Sequence, residues 1–130
     1  MAGTSIRMIG DCSHSLSEIH ASIHYIEGAE SVFHQEMTFD GTDVWLLVYE
    51  KYYFRVNSYT SLTVLLTQRE GSQTAQIIAA GGGSSMSNVS YGANRRFAKE
   101  CVQALTEVGF TIDTQNSDPL PQNLSERFFK

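Results

Sequence analysis

Apolar and polar positions along the chain alternate between two periods. Ser5 to Ile9 reads as a short first strand, with Ile6 and Met8 on one face. Asp11 to Ser15 is polar and turn-like. Ser15 is placed to cap a following helix, and Glu18 three residues on completes the capping-box spacing. Leu16, Ile19, Ile23 and Ile26 then recur at helical spacing and predict one apolar stripe. Gly28 is the expected stop, because it tolerates the left-handed conformation that follows a last helical turn.

Strand patterns take over beyond Gly28. Phe33, Met37 and Phe39 share a face of a run ending at Asp40-Gly41, the strongest short hairpin signal in the chain. Val44 to Phe54 is dense in β-branched and aromatic residues, and Asn57-Ser58 marks another turn. In Thr60 to Gln68, Leu62, Val64 and Leu66 alternate with Ser61, Thr63 and Leu65. Glu70-Gly71 turns the chain again, and Thr74 to Ala80 reads as a further strand. Gly81 to Gly92 is Gly/Ser-rich and reads as a loop. A second helix is expected to begin near Tyr91 to Asn94 and to bury Phe97, Cys101, Ala104, Leu105 and Val108, with Gly109-Phe110 closing it.

The predicted order is β-α-β-β-β-β-α. It implies an α+β two-layer sandwich, with a mostly antiparallel five-stranded sheet and two helices on one face. Residues 1–112 form the single expected domain, and 113–130 a polar C-terminal tail with Pro119 and Pro121, anchored by Phe128 and Phe129.

The strand from Val44 is apolar on both sides. Val44, Leu46, Val48, Tyr52 and Phe54 point one way, and Trp45, Leu47, Tyr49 and Tyr53 the other. An antiparallel sheet with helices on one side and water on the other should alternate apolar and polar residues. The expectation is that the helices cover the Val44 side and leave Trp45, Leu47, Tyr49 and Tyr53 as an interface, with Leu65 adjoining. A large contiguous apolar patch marks an interaction site, so homo-oligomerisation through this aromatic face is the leading reading.

Composition narrows the classes of function. The chain has 130 residues, is 42% hydrophobic and 11% aromatic, and carries 9 basic against 14 acidic residues for a net charge of −5. That is enough apolar material for a core. An acidic balance argues against nucleic acid and anionic membrane as partners, since both need a basic face. No apolar run is long enough to span a membrane, and the N-terminus lacks a signal-peptide pattern, so a cytoplasmic location is expected. Cys12 and Cys101 are the only cysteines and are expected to be free thiols.

The chemical candidates are few. His20 and His24 stand four apart on the first predicted helix, with Glu27 three further on, a spacing at which a helix presents metal ligands. The His-Glu-x-x-His protease signature is absent, because Ala21 follows His20. Gly81, Gly82, Gly83 and Ser84, with Arg95 and Arg96 at the start of the second helix, are candidates for anion or ligand binding through backbone N–H groups and a helix N-terminus. The run matches neither dinucleotide-binding nor P-loop patterns. No catalytic residue and no cofactor is implied: there is no Gly-x-Ser-x-Gly elbow, and Cys101 lies within an apolar stripe. The sequence therefore points to a non-catalytic binding or interaction module. A small-ligand pocket between sheet and second helix, gated by the Gly/Ser loop, is the alternative. A metal-dependent enzyme built on the first-helix histidines is the third reading.

The run from Val48 to Tyr53, then Ser58 to Val64, then Gly81-Gly82 after a strand, resembles a family of small uncharacterised bacterial proteins known only as a domain of unknown function. The resemblance covers residues 4–110 by element order and implies no activity and no catalytic residue. The element order also resembles that of the TATA-binding-protein-like fold. Helix-grip proteins share the long last helix on a curved sheet but usually carry more strands.

Overall fold

A computed structural model describes residues 3–54, 57–81 and 88–120. In chain order the elements are β1 (Thr4–Gly10), α1 (Leu16–His24), β2 (Glu30–Phe39), β3 (Thr42–Tyr53), β4 (Ser58–Arg69), β5 (Ser72–Gly81), α2 (Asn88–Thr106) and β6 (Phe110–Ile112). The strands form one sheet in the order β2-β3-β4-β5-β1-β6, and every pairing is antiparallel. The α+β architecture and the predicted element order are both present. Among the described residues, no helix is long and apolar enough to cross a membrane.

Turn chemistry sets the frame of the sheet. Asp40 (φ 50°) and Gly41 (φ 79°) are both left-handed, which is what a two-residue hairpin needs to match strand twist. The hairpin fixes Phe39 opposite Thr42 and carries the register to Phe33 opposite Val48. A bulge between Ser31 and Phe33 interrupts it there.

The sheet has six strands rather than five. β6 pairs with β1 through Gly10–Phe110, Ile9–Thr111 and Met8–Ile112. Three residues are too few to display a two-residue period, so this strand left no sequence signal. Beyond it the chain runs along β1. The Asp113 N–H donates to the Arg7 carbonyl (2.8 Å), and the Asp118 N–H to the Ser5 carbonyl (2.8 Å). The Arg7 N–H donates to Ser117 Oγ (2.8 Å) and the Ser5 N–H to Asp118 Oδ2 (2.9 Å). Leu120 packs against the core. Phe128 and Phe129 lie outside the described residues.

Both helices depart from their expected bounds. α1 opens with the capping box: Ser15 accepts from the Glu18 N–H while the Glu18 side chain accepts from the Ser15 N–H. It ends at His24, a turn before Gly28, because the next residues tighten to i→i−3 bonds, Tyr25 to Ser22 and Ile26 to Ile23. α2 begins at Asn88, so Asn88–Gly92 is helix rather than loop. A glycine costs a helix only about 1 kcal/mol relative to alanine. Packing of the succeeding turns, with Ala93, Phe97 and Ala98 buried, outweighs that penalty.

The core lies between the helices and one face of the sheet. β1 contributes Ile6 and Met8, β4 Leu62, Val64 and Leu66, and β5 Ala75, Ile77 and Ala79. Opposite them α1 sets Leu16, Ile19 and Ile23, and α2 sets Phe97, Cys101 and Leu105. Burying side chains of this size stabilises the fold by about 1.5–3 kcal/mol each.

Candidate functional site: the uncovered sheet face and its histidine rim

The two faces of β3 have opposite fates. Leu47 and Tyr49 are fully buried and Tyr53 is nearly so, all on the side covered by the helices. Trp45 is partly buried on the same side. The residues expected to form an open interface are therefore core. The register explains why: Trp45, Leu47 and Tyr49 stand opposite Leu66, Val64 and Leu62 of β4. Those three alternate with mostly polar residues, so only their side of β4 can face the core, and β3 follows.

Among the described residues, the face left uncovered is consequently the Val44 side. Leu46 stands opposite Leu65, Val44 opposite Met37, and Val48 opposite Phe33. Leu65 thus lies with Leu46 and not with Leu47. Tyr52 stands opposite Tyr59, their rings meeting at 5.3 Å. Phe33, Tyr59 and Ile78 remain 47%, 52% and 44% exposed. A polar margin borders the patch on the β5 side, where Thr67 bonds Thr74 and Gln76 donates to Ser5 Oγ at 2.9 Å.

At the rim of the covered face three imidazoles meet. His20 and His24 of α1 lie 4.4 Å apart by ring centroid, and His34 of β2 lies 4.5 Å from His20. Trp45 adjoins this group, edge-on to His20 at 5.8 Å and tilted against His34 at 5.7 Å by ring centroid. His34 Nε2 is 2.9 Å from Glu36 Oε2. Burial lowers the pKa of His20, and the neighbouring His24 and His34 lower it further, against a smaller opposing pull from Glu36. His20 Nε2 is buried without a hydrogen-bond partner. Glu27 is elsewhere. Since α1 ends at His24, Glu27 lines a shallow groove with Gln103, Glu100 and Glu107 of α2. Among the described residues, no group of three or more His, Cys, Asp or Glu side chains is arranged to hold a metal ion.

The glycine-rich candidate is only partly described. Gly81 ends β5 at φ 104°, opposite Thr60, whereas Gly82, Gly83 and Ser84 lie outside the described residues. Arg95 and Arg96 lie two turns into α2, and Arg96 Nε is 3.4 Å from Glu100 Oε2 one turn on.

Glu100 also organises a cluster that the sequence did not announce. Lys51 Nζ donates to Glu100 Oε1 at 2.9 Å, and the Tyr53 hydroxyl donates to the same oxygen at 3.0 Å. Burial first, and the adjacent Glu100 second, push the Tyr53 phenol well above its usual range. Residues 49 positions apart meet here, a separation that no spacing rule reaches.

Neither Cys101 nor Ser13 is set up as a nucleophile. Burial raises the Cys101 thiol pKa. Ser13 Oγ donates to Asp11 Oδ1 at 2.6 Å, so it receives rather than gives its 3.0 Å bond with His14 Nδ1. The same Ser13 bonds hold the Asp11 carboxyl below its ordinary range.

A model described as a family of unknown function, DUF6054, matches residues 1–109. The chain belongs to that family. No curated protein and no solved structure matches the chain. The DUF6054 match runs from β1 through the end of α2 and so includes both faces of β3 and the three rim histidines. It stops one residue before β6.

Proposed function

We propose that this chain is a non-catalytic interaction module that self-associates through the uncovered face of its sheet, with a second copy packing face to face. One observation carries the reading: β3 is apolar on both sides, and the helices cover only one of them. Val44, Leu46 and Val48, flanked by Phe33, Met37 and Leu65, form a surface typical of an inner sheet layer and not of a solvated one.

The dimensions suit a second copy. Strands of ten to twelve residues, about 3.3 Å per residue and about 4.8 Å apart, give β2–β5 a face of about 700 Å². A standard interface buries about 800 Å² per partner. Two identical apolar faces related by a two-fold axis satisfy each other, as the layers of a β-sandwich do.

Native mass spectrometry of untagged protein across a dilution series tests this. The wild-type chain is expected to assemble, and Leu46→Lys to lower the assembly order while leaving the circular dichroism spectrum unchanged. A wild-type chain that stays monomeric, or an assembly indifferent to Leu46→Lys, overturns the proposal.

A further inference from the structure

We infer that β2 is a second, independent contact between copies: two β2 strands pair antiparallel, edge to edge, about a two-fold axis at Gln35. β2 is an end strand of the sheet, hydrogen-bonded only to β3. Half of its backbone N–H and C=O groups therefore point outward, a ready template for another strand. Nine of its ten residues are exposed, so no described element shields this edge. The bulge between Ser31 and Phe33 blunts only its beginning, and Phe33–Phe39 is in regular register.

Side-chain complementarity selects the pairing. In an antiparallel pair about Gln35, each residue meets the one equally far on the other side of the axis. His34 then faces Glu36 of the second copy, and Glu36 faces its His34. Shifting the axis to His34 sets His34 against His34, and shifting it to Glu36 sets Glu36 against Glu36. Glu36 against Glu36 is a like-charge pair that destabilises a strand pairing, and His34 against His34 gives the imidazole no carboxylate acceptor, whereas His34 against Glu36 sets an imidazole N–H beside a carboxylate. The Gln35 register also sets Phe33 against Met37 on the uncovered face, so apolar residues meet on one side of the strand and histidine–glutamate pairs on the other. His34 and Glu36 already lie 2.9 Å apart within one chain, so the pairing interleaves two such couples.

Disulfide trapping reads the register directly. Opposed residues of an antiparallel pair have Cα atoms about 4.5–5.5 Å apart, within disulfide reach. In a Cys12→Ser background, which leaves only the buried Cys101, Gln35→Cys is expected to form a covalent dimer under mild oxidation. Phe39→Cys, which faces Ser31 in this register, is expected to give several-fold less. Adding His34→Glu should weaken dimerisation about tenfold by turning two symmetry-related pairs repulsive, and Glu36→Lys on top should restore it. Equal trapping at positions 35 and 39, or no rescue by the charge swap, overturns the inference. The readout is independent of the face contact: trapping that persists with Leu46→Lys present supports the edge even where face pairing has failed.

Discussion

Leu46 and Leu47 are consecutive in β3, yet Leu47 is fully buried under the helices while Leu46 faces Leu65 on the uncovered side. The pair predicts a sharp contrast. Leu47→Ala should cost about 2–5 kcal/mol, the range for deleting a buried leucine and leaving a cavity. Leu46→Ala, measured in dilute monomer, should cost about 1 kcal/mol or less. Urea unfolding of the two variants checks this, and equal losses would place the core on the wrong face.

Glu100 is the sole hinge of a second prediction. Glu100→Ala leaves the Lys51 ammonium and the Tyr53 hydroxyl without their shared acceptor. Leaving such groups unsatisfied costs about 1–3 kcal/mol. Tyr53→Phe should cost only about 0.5–1.5 kcal/mol, because Lys51 keeps its partner. A double-mutant cycle on Lys51 and Glu100 should give a clear coupling energy.

The histidine rim predicts how stability varies with pH. His20 has a lowered folded pKa, so the unfolded chain binds its proton first as pH falls. Stability is full above the unfolded value of about 6.5 and declines as pH drops through that value toward the folded pKa. The lowered carboxyls of Asp11 and Glu18 add their own loss only at more acidic pH, about 4.5 and below. His20→Gln should flatten the slope between about pH 6.5 and 4.5 without altering the steeper fall beneath it. Denaturant titrations across that range check it.

How much of this was legible in the sequence depends on whether a rule is local. The Ser15–Glu18 capping box and the Asp40-Gly41 hairpin were legible, because each is decided by residues a few positions apart. Which face of β3 turns inward was not, since β3 itself is apolar on both sides. The deciding signal was the alternation in β4, carried across by the β3–β4 register. His34 escaped notice beside His20 and His24 because it comes from another element. Its parity with Glu36, opposite to that of Phe33 and Met37, was the available clue. The Lys51–Glu100 contact had no clue, since tertiary packing alone creates it.

The turn after α2 offers a fourth prediction. Gly109 sits at φ 93°, and a Cβ there would overlap the Asp11 carboxylate and come within 2.7 Å of Ser13 Oγ. The Gly109 carbonyl also accepts from the Asp11 N–H at 2.9 Å. Gly109→Ala should therefore lower stability by about 1–3 kcal/mol, read as a depressed Tm. A neutral result would mean that this loop re-forms without the Asp11–Ser13 bond.

The 113–118 segment that bonds along β1 makes the two ends of the sheet unlike. One end presents the ten-residue edge strand β2, and the other only the three residues of β6 beside a strip already bonded to the chain's own backbone. A strand-templating end with no matching acceptor at the opposite end cannot propagate head to tail. Under the β2 pairing inferred above, edge addition by itself joins two copies and meets no second long open strand among the described residues.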